Sequence, residues 1–251
     1  MKKQLLFLVS LLLMATSSWA LIPPIPPVYV NGTTGSDSWD GSSATYVSGL
    51  VGPKATVQAG IGAVSSGGTV NVASGSYSEV LTVSKSLTLS GEAGQTMIDG
   101  TSSGRALAVT AGTVAVNGLI FKTAAAVPTI DVSGGSLKIR NCIIHEAAAQ
   151  TQACLYVSAG SVDAGTTTGG DYGHNRFFVH GTGNAIDNAQ AVALPAEYND
   201  WGSAKGPTIG TNTGGDGGAI TGTSAALVDY SPWGGGPVTT VTSWSVCTGT
   251  A

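Results

Sequence analysis

Asp131, Lys138, Arg140 and Asp163 fall close together in a chain of 251 residues of which only 10% are charged. Carboxylates accept protons or ligate hard cations, and Lys or Arg beside them supplies positive charge, so these four are the first candidates for catalysis. They equally suit a solvated face on which Lys138 and Asp163 pair across neighbouring strands. Asp37 and Asp40, in DSWDG, form a second acidic cluster that could hold Ca²⁺ through carboxylates and turn carbonyls; Asp and Gly in such runs also make turns by bonding nearby backbone N–H groups. Trp39, Trp201 and Trp233, with Tyr46, Tyr156 and Tyr230, could stack on sugar rings, a use of aromatic faces that competes with burial as plugs at the ends of a fold.

A repeat positions these side chains. LTVSKSLTLSG from Leu81, LAVTAGTVAVNG from Leu107, IDVSGGSLKIRN from Ile130 and LYVSAGSVDAGT from Leu155 align, and their starts recur at nearly equal intervals along the chain. Each reads apolar-x-Val-Ser/Thr, a small-residue corner, then apolar-x-apolar: two strands of period 2 joined by a tight bend. A unit this short buries its apolar stripe only against copies of itself. The expected fold is therefore all-β, a right-handed parallel β-helix (solenoid) with a short N-terminal capping helix. Stacking puts Val83, Val109, Val132 and Val157 in one interior column and Leu89, Val116, Ile139 and Ala164 in another. Alternation then points Asp131 and Tyr156 outward beside Thr82 and Ala108, and Lys138, Arg140 and Asp163 outward on the next face, where solvent is expected to reach them. Val57, Ile61 and Val64 recur at helical spacing after Pro53, so PKATVQAGIGAV is expected to cap the coil that begins with TVNVASGSY.

The first twenty residues carry Lys2 and Lys3, an apolar run from Leu5 to Met14 and small residues before Ala20, the pattern of a signal peptide cleaved after Ala20. The implied division is a signal peptide over 1–20, a β-helix domain over 21–233 and a Gly/Thr/Ser-rich tail or linker over 234–251. The expected location is secreted: extracellular, cell-surface or periplasmic. Without Lys2 and Lys3 the chain keeps 8 basic against 14 acidic residues, a balance that disfavours nucleic acid, whose phosphates need clustered Lys and Arg. No stretch of the mature chain is apolar enough to span a membrane. Cys142, Cys154 and Cys247 are an odd number for an exported chain, allowing at most one disulfide and leaving its pairing open.

The run YVNGTTGSDSWDG, then KATVQAGIGAV, GGTVNVASGSYSEVLTVSKSLTLSGE and TMIDG, resembles the start of exported pectin-lyase-like β-helix proteins; HNRFF, AEYNDWGSAKGPT and VDYSPW resemble their closing coil. The resemblance spans residues 29 to 233 and implies architecture across a group of lyases, esterases, adhesins and others. The lyases of that group imply carboxylates that hold Ca²⁺ and an Arg or Lys base, for which Asp131, Lys138, Arg140 and Asp163 are the nearest candidates. The pectin methylesterase motifs G-x-V-D-F-I-F-G and L-G-R-P-W are absent. Copper, implied by the name some members carry, finds no ligand spacing among Met97, His145, His174 and His180.

The leading expectation is a non-catalytic module binding extracellular polysaccharide or another cell-surface component, without a cofactor unless Ca²⁺ sits at Asp37 and Asp40. The alternatives are a lyase or hydrolase acting on uronic-acid-rich polymers and a structural spacer in a larger surface protein.

Overall fold

The four repeat units become successive coils of a parallel β-helix. The computed structural model describes residues 25–100, 104–146, 151–179 and 182–234; the expected signal peptide, most of the expected tail, His180 and Cys247 lie outside them. Among the described residues the paired strands run parallel, and most of them stack as three faces, with Leu194–Pro195 and Val228–Asp229 forming a separate two-stranded sheet. On the first face Val28–Val30, Thr69–Val72, Leu87–Ser90 and Thr113–Asn117 pair in turn, and the last pairs with the second half of Ile130–Arg140. The second face stacks Gly75–Ser78, Thr96–Asp99, Ile120–Lys122, Ile143–His145 and Arg176–Phe178. The third stacks Leu81–Val83, Leu107–Val109, the first halves of Ile130–Arg140 and Ala153–Asp163, then Asn184–Asn188 and Gly217–Thr221.

The interior columns follow from period 2. Val83 pairs with Val109, Val109 with Val132 and Val132 with Val157, all buried. Leu89, Val116 and Ile139 stack on the first face, and Ala164, next to Lys138's partner Asp163, is buried beside them. A slip of one residue would turn each column outward, which is why the register is so firmly set. The corners between third and first faces need glycine twice over. Gly112, Gly135 and Gly160 have φ of 86°, 69° and 83°, and a Cβ on Gly135 would stand 2.4 Å from the Gly112 carbonyl oxygen while one on Gly160 would stand 2.3 Å from that of Gly135. Only a residue without a Cβ lets successive coils turn directly on top of one another.

The cap is the helix Val57–Ala63, with Val57, Ile61 and the following Val64 buried. Thr56 is its N-cap, and the first backbone N–H groups are taken by carboxylates: Asp37 accepts from Ala55 and Thr56, Glu79 from Val57 and Gln58. These satisfy donors that a helix start leaves unpaired. In one respect the cap differs from expectation. The strand Thr69–Val72 is not outermost; Val28–Val30 pairs with it, and the helix packs against both. No helix among the described residues is long and apolar enough to cross a membrane. Cys142 and Cys154 are buried free thiols. Burial pushes the Cys142 thiol up to about 12, so it stays protonated and unreactive at neutral pH.

Candidate functional site

The structure separates the four charged candidates into two places. Lys138 and Asp163 are partners in strand register, but their side chains do not pair with each other. Lys138 Nζ instead meets Asp171 Oδ2 at 2.5 Å, and the Asp163 carboxylate takes Arg140 Nη2 at 2.7 Å. Arg140, expected in solvent, is buried at 7% exposure. The cause is the loop after Asp163, which brings Asp171 over the first face. Every Arg140 N–H is used: Nε and Nη2 donate to the two Asp171 oxygens, Nη1 to the carbonyls of Ile139 and Asp163, and Nη2 also to Asp163 Oδ1. Permanently cationic and saturated, this guanidinium has no vacancy for substrate and no means of taking a proton. It is a clamp across three chain segments.

Asp171, which its GGDYG context marks only as a turn, is the partner that sequence reasoning missed. The Arg140 hydrogen bonds, against an opposing effect of burial and with a lesser pull from Lys138, hold its carboxyl down to about 2 from an ordinary 3.8. A carboxyl depressed on folding contributes stability that is fully present above its unfolded value and is lost as pH falls through its folded one. Melting temperature is therefore expected to drop between pH 3.8 and about 2, with part of that acid slope missing from Arg140→Met. Identical acid profiles for the two proteins would show the clamp to be energetically idle.

Asp37 and Asp40 are occupied by local donors. Beyond its backbone contacts, Asp37 accepts from the Thr56 hydroxyl, and Asp40 from the Ser42 backbone and hydroxyl and from Gly52. No cluster of three or more His, Cys, Asp or Glu suited to a metal ion occurs among the described residues. The aromatic candidates divide likewise. Trp201 is 1% exposed and stacks on Phe177 at 5.0 Å between ring centroids, so its faces are closed to a sugar. Trp233 is half-buried over Gly206 and donates to the Ala204 carbonyl. Trp39 lies over Gly52 and packs its ring against the exposed Tyr46.

Tyr156 is placed differently. On the outside of the third face the register runs Thr82, Ala108, Asp131, Tyr156, Asp187, Thr221, one residue per coil. Around its middle lies a groove of about 330 Å³ lined by Arg105, Asp131, Gln152, Tyr156, Asn184 and Asp187. Asp131, expected in solvent, is instead 7% exposed, because the segment that carries Arg105 folds over it and Nη1 reaches Asp131 Oδ2 at 2.7 Å. Its other oxygen, Oδ1, is buried with no hydrogen-bond partner among the described residues, a costly condition that native interiors rarely tolerate without a reason. Asp187 is half-buried, and burial raises its carboxyl above the ordinary value with no compensating partner. A second hollow, of about 530 Å³ near the C-terminal end, is larger but has its charges matched internally, Arg176 to Asp200 and Asp216 to Lys205.

Asp187 is legible in the sequence, yet the repeat does not reach it. Ile186-Asp187 repeats the Ile130-Asp131 pair of the third unit but lies beyond the four units whose spacing is regular. The third-face groove thus combines a half-exposed ring, a bound ion pair and a carboxyl that burial leaves unmatched, and it follows the axis of the solenoid. No family model, curated protein or solved structure matches the chain.

Proposed function

We propose that this chain is an exported β-helix module, of the pectin-lyase-like kind, that binds polysaccharide along its third face without cleaving it. The observation that carries the proposal is the column Asp131, Tyr156, Asp187 in consecutive coils. A ring that offers an apolar face beside the half-buried Asp187 carboxylate, which accepts hydroxyl hydrogen bonds, matches the two sides of a sugar, its C–H face and its rim. Successive positions about 4.8 Å apart along the axis suit an extended polymer better than a compact ligand.

Hydrolysis would need one carboxyl to protonate the leaving oxygen and another to activate water. Asp187, with its raised pKa, suits the first role. Asp131 does not suit the second, since Oδ2 is held by Arg105 and Oδ1 is out of contact with solvent. Elimination from uronates is no better served, because Arg140 is saturated on another face.

The test is binding to a panel of soluble polysaccharides by affinity electrophoresis or calorimetry, with assays for new reducing ends and unsaturated products. Retention by at least one polymer, about tenfold weaker in Tyr156→Ala, is expected, equivalent to ~1.4 kcal/mol of lost contact. Chain cleavage that disappears in Asp187→Asn would replace this function with a hydrolytic one. Binding that ignores Tyr156 would move the site elsewhere.

A further inference from the structure

Resting on the polysaccharide-binding reading, we infer that the third-face groove selects amino sugars, taking a glucosamine-type ammonium between Asp187 and the Tyr156 ring, and rejects uronates. The charged side chains lining it are Arg105, Asp131 and Asp187, one cation against two carboxylates. The cation is already engaged at 2.7 Å by Asp131. What is left over among the described residues is negative: Asp187, with no bonded partner, and the Asp131 oxygen that no donor reaches. A buried acceptor without a donor is stabilised by any positive charge that arrives near it, and in a partly desolvated groove that attraction is stronger than in water. At the other end of the groove burial raises the carboxyl of Asp187, so its charged form too lacks the stabilisation that water would give. Tyr156, between the two in register, adds the electron-rich face on which an ammonium or the C–H face of a sugar rests.

Other occupants fit less well. A single metal ion holds its oxygen ligands at roughly 2.3–2.6 Å, whereas Asp131 and Asp187 lie two coils apart, about 9.6 Å along the axis. A uronate would set a third carboxylate among these two with no free cation to receive it. A neutral sugar could stack on Tyr156 but would leave the excess negative charge unmatched. The volume of about 330 Å³ is at the small end of ligand sites, which suits a site that reads one or two residues of a longer chain.

The test compares three soluble oligosaccharides of equal length by calorimetry at mildly acid pH, where the sugar amine is charged: β-1,4-linked glucosamine, its fully N-acetylated form, and galacturonate. Glucosamine oligomers are expected to bind at least tenfold more tightly than the acetylated ones, galacturonate not measurably. Asp187→Asn should bring glucosamine down to the level of the acetylated oligomer, and added salt should do so in part. This nearly isosteric change at a half-buried position is expected to fold, and an unchanged melting curve verifies that. Equal binding of the amino and acetylated oligomers, both weakened by Tyr156→Ala, would overturn the amino-sugar assignment while keeping polysaccharide binding. Preference for galacturonate would overturn it too. No binding to any of the three or to the wider polysaccharide panel would overturn both.

Discussion

Val132→Asp is expected to abolish the cooperative thermal transition of the protein. Val132 is fully buried, with Val109 on one side in register and Val157 on the other, so a carboxylate there is flanked by apolar side chains. Burying an unpaired charge costs many kcal/mol, or several if it enters protonated, against a total stability of about 5–15 kcal/mol for a typical domain. The position makes matters worse, because coils of a solenoid are stabilised mainly by adjacent coils, and a break in the middle uncouples the two ends. The neighbouring change Asp131→Asn keeps the shape and breaks the pair with Arg105, whose side chain is 37% exposed and so can be taken over by water, and its melting shift is expected to correspond to about 1 kcal/mol. Circular dichroism melts of both variants decide the matter. Comparable shifts would mean that the column is misassigned by one residue.

The contrast between these adjacent residues marks how far the sequence could be read. Inward positions obey alternation alone, and the apolar-x-Val pattern located Val83, Val109, Val132 and Val157 without help from any distant residue. Outward positions are a different matter, because whether they are solvated depends on what folds over them. Arg105 covers Asp131 from the preceding coil, and Asp171 covers Arg140 from a loop beyond the following one. Both partners sit outside the alternating strands, where periodicity carries no information. The same loop explains why Asp187 escapes the repeat. Leu107, Ile130 and Leu155 are partners on the third face at nearly even intervals, but the next partner, Ile186, comes distinctly later in the chain. The extra length lies in the excursion that delivers Asp171. A fixed-period search stops there, although the strand after it repeats the Ile-Asp pair. The strand Val28–Val30 was hidden for a related reason: it follows a proline-rich segment and has no corner of its own to match the repeat.

Arg140→Ala is expected to destabilise the protein by about 3 kcal/mol while leaving sugar binding at the third face unchanged. Removing one member of a buried ion pair leaves its partners desolvated and unmatched, which typically costs roughly 3–5 kcal/mol. Here the guanidinium is 8% exposed, but the carboxylates of Asp163 and Asp171 are 35% and 36% exposed, so water can take over part of what is lost and the lower end applies. The two carbonyls that Arg140 satisfies, those of Ile139 and Asp163, have less recourse. Arg140→Lys is expected to recover little, since a single ammonium cannot reach two carboxylates and two carbonyls spread around a planar fork. Chemical denaturation gives the stability term, and calorimetry with a glucosamine oligomer gives the binding term. An Arg140→Ala protein of full stability would remove the clamp from the account of the fold. One that folds normally but no longer binds sugar would place the site on the first face, with Lys138 and Asp163, and not in the groove around Tyr156.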